Sequence, residues 1–370
     1  MISRRLLENV KSRLNKGKVI VLIGPRQVGK TTMINALLKN APYLFLDGDD
    51  SSVCDELSNA NTETLKNIIG DYKYVFIDEV QRIPNIGLKL KIMVDQIKTA
   101  QIIVSGSSAL DIGNLTQEPL TGRKFEFQMF PISWNEFEGN VGYMKAQQQL
   151  ELRILYGMYP DVINNLGNEY EILKNLVSSY LYKDILALTG IRKSDVLEKI
   201  LQALALQIGS EVSYNEIAQL VGVDKNTVNN YINLLEKSYV IFKLNSFSRN
   251  ARNEIKANRK IYFYDNGVRN MLIGNFNNLA LRQDKGALWE NFMVSERMKL
   301  LSYENSNKQP YFWRTTQQQE IDYIEVDADE VDAFEIKWKV KKAKLPKSFS
   351  DYYKGSFEII TADSFRDFLK

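Results

Sequence analysis

The sequence predicts an α/β protein in three parts: a parallel sheet covered by helices, a helical and winged-helix middle, and a smaller α/β domain at the end. Three observations predict it. In the first third, short runs recur between helical stretches, and they are continuously apolar rather than alternating, as strands buried on both faces must be. From about Gly139 to Leu206, helical periodicity runs with no strand signal. After a long helical stretch at Gly286–Leu301, three segments alternate apolar and polar residues, the pattern of a sheet with one wet face. The boundaries implied are 1–138, 139–255 and 256–370.

The elements follow in order. A helix over Ser3–Asn15 precedes the strand Val19–Gly24, and a glycine-bounded loop opens a helix over Thr31–Asn40. A strand at Tyr43–Gly48 leads to an amphipathic stretch at Glu63–Ile69, the strand Tyr74–Asp78, a helix over Leu88–Lys98, and strands at Ile102–Ser107 and Lys124–Pro131. The middle holds helices near Gln147–Leu155, Glu169–Leu186 and Asp195–Leu206. Ser213–Leu244 then reads as a short helix, a glycine turn, a second helix capped by Asp224 and an apolar strand, which is winged helix-turn-helix spacing. Beyond the strand Ile261–Asp265, the long helix and the three alternating strands come a helix at Lys347–Tyr353, a strand at Phe357–Thr361 and a helix at Ser364–Lys370.

Composition excludes several chemistries. The 370 residues contain one cysteine, Cys54, and no histidine, so disulfide frameworks, Cys/His zinc sites and histidine-based triads are all ruled out. Any metal must be held by oxygen ligands, and any general base must be Asp, Glu, Lys or Tyr. Forty-eight Lys and Arg against forty-five Asp and Glu leave a charge of +3, too small to decide for or against nucleic acid. The N-terminus lacks the apolar stretch of a signal peptide, and no apolar run is long enough to cross a bilayer. The expectation is a cytoplasmic protein without membrane contact.

Gly24–Thr32, GPRQVGKTT, fits G-x-x-x-x-G-K-[ST] and lies between an apolar strand and a helix start, where a phosphate loop must lie. Gly24 and Gly29 let backbone amides fold around phosphates, Lys30 neutralises the β- and γ-phosphates, and the Thr31 hydroxyl, with Thr32 beside it, is placed for Mg²⁺. Arg26 in the loop faces either phosphate or solvent. The strand YVFIDE presents Asp78 for Mg²⁺, and Glu79 is the natural base to orient water on the γ-phosphate. Ser105, Ser107 and Ser108 fall at the end of another strand, with Ser107 expected to sense the γ-phosphate.

With these segments in order, together with LTGRKFEFQMFPIS, the chain resembles the AAA+ class of P-loop ATPases, in the prokaryotic branch whose ATPase domain precedes a domain of unknown function. The resemblance implies ATP as ligand, Mg²⁺ as cofactor and a homo-oligomer, because an arginine just before the fifth core strand commonly acts on a neighbouring subunit's ATP. Arg123 occupies that place. A guanidinium fork suits the role, since it spreads positive charge over a transferring phosphoryl group.

In the helix-turn-helix, the second helix carries Lys225, Asn226, Asn229 and Asn230 on its polar face, which can enter a major groove or simply face a packing partner. A basic stretch, Arg249, Arg252, Lys256, Arg259 and Lys260, adds weight to DNA. Near the end, Asp322 on one strand and Glu335 with Lys337 on the next put two acids and a lysine on one face, with Glu290 on the preceding helix as a further ligand. Such acids can share Mg²⁺ or Mn²⁺, and the lysine can support water or developing phosphate charge. The order helix, three strands, helix, strand resembles the PD-(D/E)XK nuclease fold over about the last hundred residues, without the motif's initial proline. Two functions are therefore expected to compete: an Mg²⁺-dependent ATPase acting on DNA with nuclease activity, and a nucleotide-switched interaction protein with a silent nuclease-like domain.

Overall fold

A computed structural model describes residues 2–107, 119–178, 194–248, 259–315, 317–339, 344–351 and 353–370. The chain divides into two compact units, Met1–Pro131 with Lys237–Tyr239, and Ile132–Glu236 with Val240–Lys370.

The first unit contains helix α1 (Leu6–Lys11), strand β1 (Val19–Ile23), α2 (Lys30–Leu38), β2 (Tyr43–Asp47), α3 (Ser51–Asn59), α4 (Thr62–Ile69), β3 (Tyr74–Asp78), α5 (Ile86–Gln96), β4 (Gln101–Gly106) and β5 (Lys124–Gln128). Its five strands are ordered β2-β3-β4-β1-β5, and every neighbouring pair is parallel. Central β1 is buried along its whole length, as the unbroken apolar run VIVLI requires. Met33 and Ile34 of α2, Leu65 of α4 and Leu90 and Met93 of α5 are buried too, so the helices bring their apolar stripes into the core. Helix α3 was not anticipated. Only Leu57 of it is buried, and its start is set by Asp50, whose side chain accepts from Ser52 N.

The second unit begins with a helical stretch: α6 (Trp134–Val141), α7 (Tyr143–Gln148), α8 (Leu150–Tyr156), α9 (Pro160–Asn164), α10 (Glu169–Leu176) and α11 (Ser194–Leu206). Residues 179–186 of the helix expected over Glu169–Leu186 lie outside the described residues. Then come β6 (Glu211–Val212), α12 (Tyr214–Val221), α13 (Lys225–Lys237), β7 (Ile241–Ser246), β8 (Arg259–Phe263), α14 (Asn266–Leu272), α15 (Lys285–Tyr303), β9 (Gln309–Arg314), β10 (Glu320–Asp327), β11 (Glu330–Ile336), α16 (Lys347–Ser350), β12 (Phe357–Ile360) and α17 (Phe365–Phe368).

One seven-stranded mixed sheet, ordered β12-β11-β10-β9-β7-β8-β6, runs through this unit. Strands β6 and β7 pair antiparallel with β8, and β7 meets β9 in parallel over Asn245↔Tyr311 and Ser246↔Phe312. The strands flanking the helix-turn-helix thus continue into the C-terminal sheet, across the boundary expected at residue 255. An aromatic group of Trp134, Trp289, Phe292 and Phe365, with centroids 5.3–6.2 Å apart, ties the first and last helices to α15.

Candidate nucleotide-binding site

Strand β1 ends at Ile23, and the loop to α2 turns on residues with positive φ: Gly24 (+155°), Gln27 (+62°) and Gly29 (+93°). Gly24 is obligatory, since a Cβ there would lie 2.0 Å from the Met129 carbonyl oxygen. The loop is braced from behind by Arg4, whose guanidinium donates to the carbonyls of Val28 (3.0 Å) and Phe130 (2.5 Å).

Lys30 opens α2 and is almost wholly buried, at 6% exposure. Its ammonium donates to two neutral carbonyls of its own loop, Gly24 at 2.8 Å and Pro25 at 2.9 Å. Burial lowers its pKa to about 8, against the opposing pull of Glu79 and Asp78. A cation held so far from water, beside a glycine-turned loop at a helix start, fits an anionic phosphate.

The next residue reaches across to β3. Thr31 Oγ1 donates to Asp78 Oδ2 at 2.5 Å, Ser105 Oγ donates to Asp78 Oδ1, and Glu79 N donates to the same oxygen at 3.0 Å. Asp78 is thereby aimed and buried, at 7% exposure, with a hydroxyl beside it. This hydroxyl and carboxylate are the oxygen donors that Mg²⁺ prefers. Thr32 is exposed on the first turn of α2.

Past Asp78 the strand stops. Glu79 takes a left-handed conformation, φ +47°, before a 3-10 turn over Val80–Arg82. Gly48 makes room for this bend, because a Cβ on it would meet the Glu79 carbonyl oxygen at 2.5 Å. The Glu79 carboxylate accepts from Gln81 Nε2, and the same nitrogen donates to Ser107 Oγ at 3.0 Å. Ser108 lies outside the described residues. Lys30, Thr31, Asp78, Glu79 and Ser107 therefore gather at the carboxyl edge of the sheet.

Arg123 does not join them. Strands β1 and β5 pair with Val19 opposite Lys124, so Arg123 lies at the amino edge, roughly 16 Å of strand from the level of Ile23. There it pairs with Asp95 at 2.8 Å, with both side chains partly exposed. It cannot serve the phosphate loop of its own chain.

The C-terminal residues form a second group. Asp322 Oδ2 accepts from Ile336 N at 2.9 Å and from Lys337 at 3.1 Å, and Lys337 also pairs with Glu335 at 2.8 Å. Glu290 Oε1 accepts from Tyr262 Oη at 2.6 Å and from Lys260 at 3.1 Å, while Lys260 pairs with Glu320 at 2.6 Å. Among the described residues no group of three or more Asp, Glu or Cys side chains is gathered so as to hold a metal ion. Glu290, Asp322 and Glu335 are thus not brought together as a ligand set among the described residues, and their carboxylates pair with Lys260 and Lys337 instead. Burial raises the pKa of Glu290 to about 7, with Lys260 drawing it down and Asp322 adding to the rise. Burial and Asp322 raise that of Glu335.

Lys260 also corrects the expected basic stretch. It is 1% exposed and spent on carboxylates, so it does not face solvent. Arg249, Arg252 and Lys256 lie outside the described residues. On α13, Lys225, Asn226 and Asn230 are exposed and Asn229 is half-buried, while Val228, Ile232 and Leu235 are buried as expected. Among the described residues, no helix is long and apolar enough to cross a membrane.

With this geometry in place, comparisons with known proteins show what the chain is similar to. Residues 16–138 match an AAA domain family, residues 147–279 a domain of unknown function (DUF8612), and residues 285–362 a second one (DUF4143). A solved Walker-type ATPase of Pyrococcus abyssi superposes with a TM-score of 0.51 at 15% identity, covering 74% of this chain and 96% of that one. An uncharacterized protein of Mycobacterium tuberculosis is 28% identical over 345 residues, 91% of this chain and 74% of its own. One of Methanocaldococcus jannaschii is 24% identical over 293 residues, 67% and 61% of the two chains. The chain carries an AAA-type, P-loop ATPase domain. A DUF4143 domain follows it toward the C-terminus.

Proposed function

We propose that this chain is an Mg²⁺-dependent ATPase that works as a homo-oligomer and contacts DNA through its helix-turn-helix. The observation that carries the ATPase reading is the convergence of buried Lys30, the Thr31–Asp78 pair and Glu79 at one sheet edge. Lys30 and the loop amides bind the β- and γ-phosphates. Thr31 and Asp78 would hold Mg²⁺, which would supply charge neutralisation at the phosphate oxygens when bound. Glu79 takes a proton from the attacking water as its oxygen bonds to the γ-phosphorus. The bond to the β-phosphate breaks, and ADP leaves with its electrons.

Oligomerisation is supported by Arg123, which lies out of reach of its own phosphate loop, as an arginine that serves a neighbour's γ-phosphate would. DNA is supported by the exposed Lys225, Asn226 and Asn230 at the start of α13, a position that suits a major groove. For the C-terminal domain, the lysines among its acids favour a nuclease-like fold retained for interaction rather than for cleavage.

The test measures ATP turnover with and without duplex DNA over a range of protein concentrations, alongside filter binding at rising salt. Turnover per subunit should climb with concentration, and DNA binding should weaken steeply with salt. Full activity in a dilute monomer would remove the neighbour's arginine from the scheme. Absence of any DNA complex at low salt would make the helix-turn-helix a packing module.

A further inference from the structure

The nucleotide-binding edge contains one side chain that neither the phosphate grip nor the metal pair uses. Gln81 sits two residues beyond Glu79, on the 3-10 turn that Glu79 enters with φ +47°. Its carboxamide nitrogen donates to the Glu79 carboxylate and, at 3.0 Å, to the Ser107 hydroxyl at the end of β4. Its carbonyl oxygen is buried and has no hydrogen-bond partner among the described residues. Turning the amide over would set that oxygen against the Glu79 carboxylate, so the acid decides which end of the amide faces it.

We propose that Gln81 is the positioning residue for Glu79: its amide fixes the carboxylate on the strained turn and ties its orientation to Ser107. Two features make the tie directional. A left-handed glutamate on a short turn has no helix or strand to set its side chain, so a partner must. The partner is shared with the neighbouring strand end, so movement of the β4 end, where a γ-phosphate would be felt, is passed to the base through one amide. Gln81 is not among the groups assigned to grip phosphate or metal, so its contribution falls on the rate of the chemical step and not on nucleotide affinity.

The inference rests on the assignment of Glu79 as the base, and the experiment separates the two. Steady-state ATP hydrolysis and ATP·Mg²⁺ binding are measured on the full chain for wild type, Gln81→Ala, Ser107→Ala, Glu79→Gln and the Gln81→Ala/Glu79→Gln pair. Gln81→Ala should lower kcat about tenfold with KM and ATP affinity within about twofold, the signature of a displaced base. Ser107→Ala should produce a smaller loss of the same kind. In the Glu79→Gln background, Gln81→Ala should add nothing, because there is no base left to position. A Gln81→Ala enzyme at or above wild-type kcat, or a full additive loss in the pair, overturns the positioning role. Should Gln81→Ala fail to bind ATP, Ser107→Ala decides alone: unchanged kcat overturns the proposal. Wild-type turnover by Glu79→Gln would instead overturn the assignment of the base itself.

Discussion

The phosphate-loop edge and the C-terminal acid cluster both bury ionisable groups, yet they handle the cost in opposite ways. Lys30 is buried against neutral carbonyls, and its pKa drops to about 8. Lys260 is buried against carboxylates, and although burial alone would lower its pKa, Glu290 and Glu320 outweigh it and raise it. The first lysine is left wanting an anion, while the second already has two. An incompletely compensated charge marks a site that awaits a ligand, and a closed ion-pair network marks one that stands without it.

The comparison breaks most decisively at the subunit level. Arg123→Ala should retain ATP binding and lose about 10³-fold in turnover, the scale of a removed arginine finger. Mixing it with Glu79→Gln subunits should restore activity, because a mixed interface pairs an intact Glu79 with an intact Arg123. Lack of recovery in demonstrably mixed oligomers would place Arg123 outside the reaction.

The next largest effect lies in the other cluster. Lys260→Met strands buried Glu290 and partly buried Glu320, and should cost about 3 kcal/mol or more in urea unfolding. By contrast, Mn²⁺ or EDTA should leave the wild-type thermal midpoint unchanged. A metal-dependent rise that Asp322→Asn abolishes would show that the acids open to take an ion.

The smallest effect is in pH. Since the Lys30 pKa in the free protein is lowered to about 8, the ammonium is present below that value and lost as pH rises through it. Phosphate charge favours the protonated form, so nucleotide binding above pH 8 should take up a proton. Affinity should then fall by at most about tenfold per pH unit. Calorimetry in buffers of different ionisation enthalpy reads this directly, and Lys30→Arg should flatten it, because arginine stays charged.

What could be read beforehand divides along the same line. The loop from Gly24 to Thr31 and the strand ending at Asp78 were legible because apolar runs and glycine spacing are local signals. Gln81 was not, since its role depends on a turn at Glu79 that brings it to Ser107, 26 residues away in sequence. Lys260 read as part of a basic stretch because its partners Glu290 and Glu320 are distant in the chain. Helix α14 has no local signal for a related reason: its buried Asn266, Arg269 and Asn270 are polar, and they are satisfied by distant groups such as the Ile154, Ala205 and Leu155 carbonyls. The pairing of β7 with β9, which joins the sheet, spans two residue pairs far apart in sequence and has no local pattern.

The central claim is that the sheet edge formed by Lys30, Thr31, Asp78 and Glu79 hydrolyses ATP. Its most direct test is Mg²⁺-dependent ATP turnover by wild type and Glu79→Gln, with nucleotide binding measured on the same samples. Both proteins should bind ATP, and only the wild type should turn it over, with Glu79→Gln slower by about 10²-fold or more. Equal turnover by the two, or no Mg²⁺-dependent ATP binding by the wild type, would contradict the account.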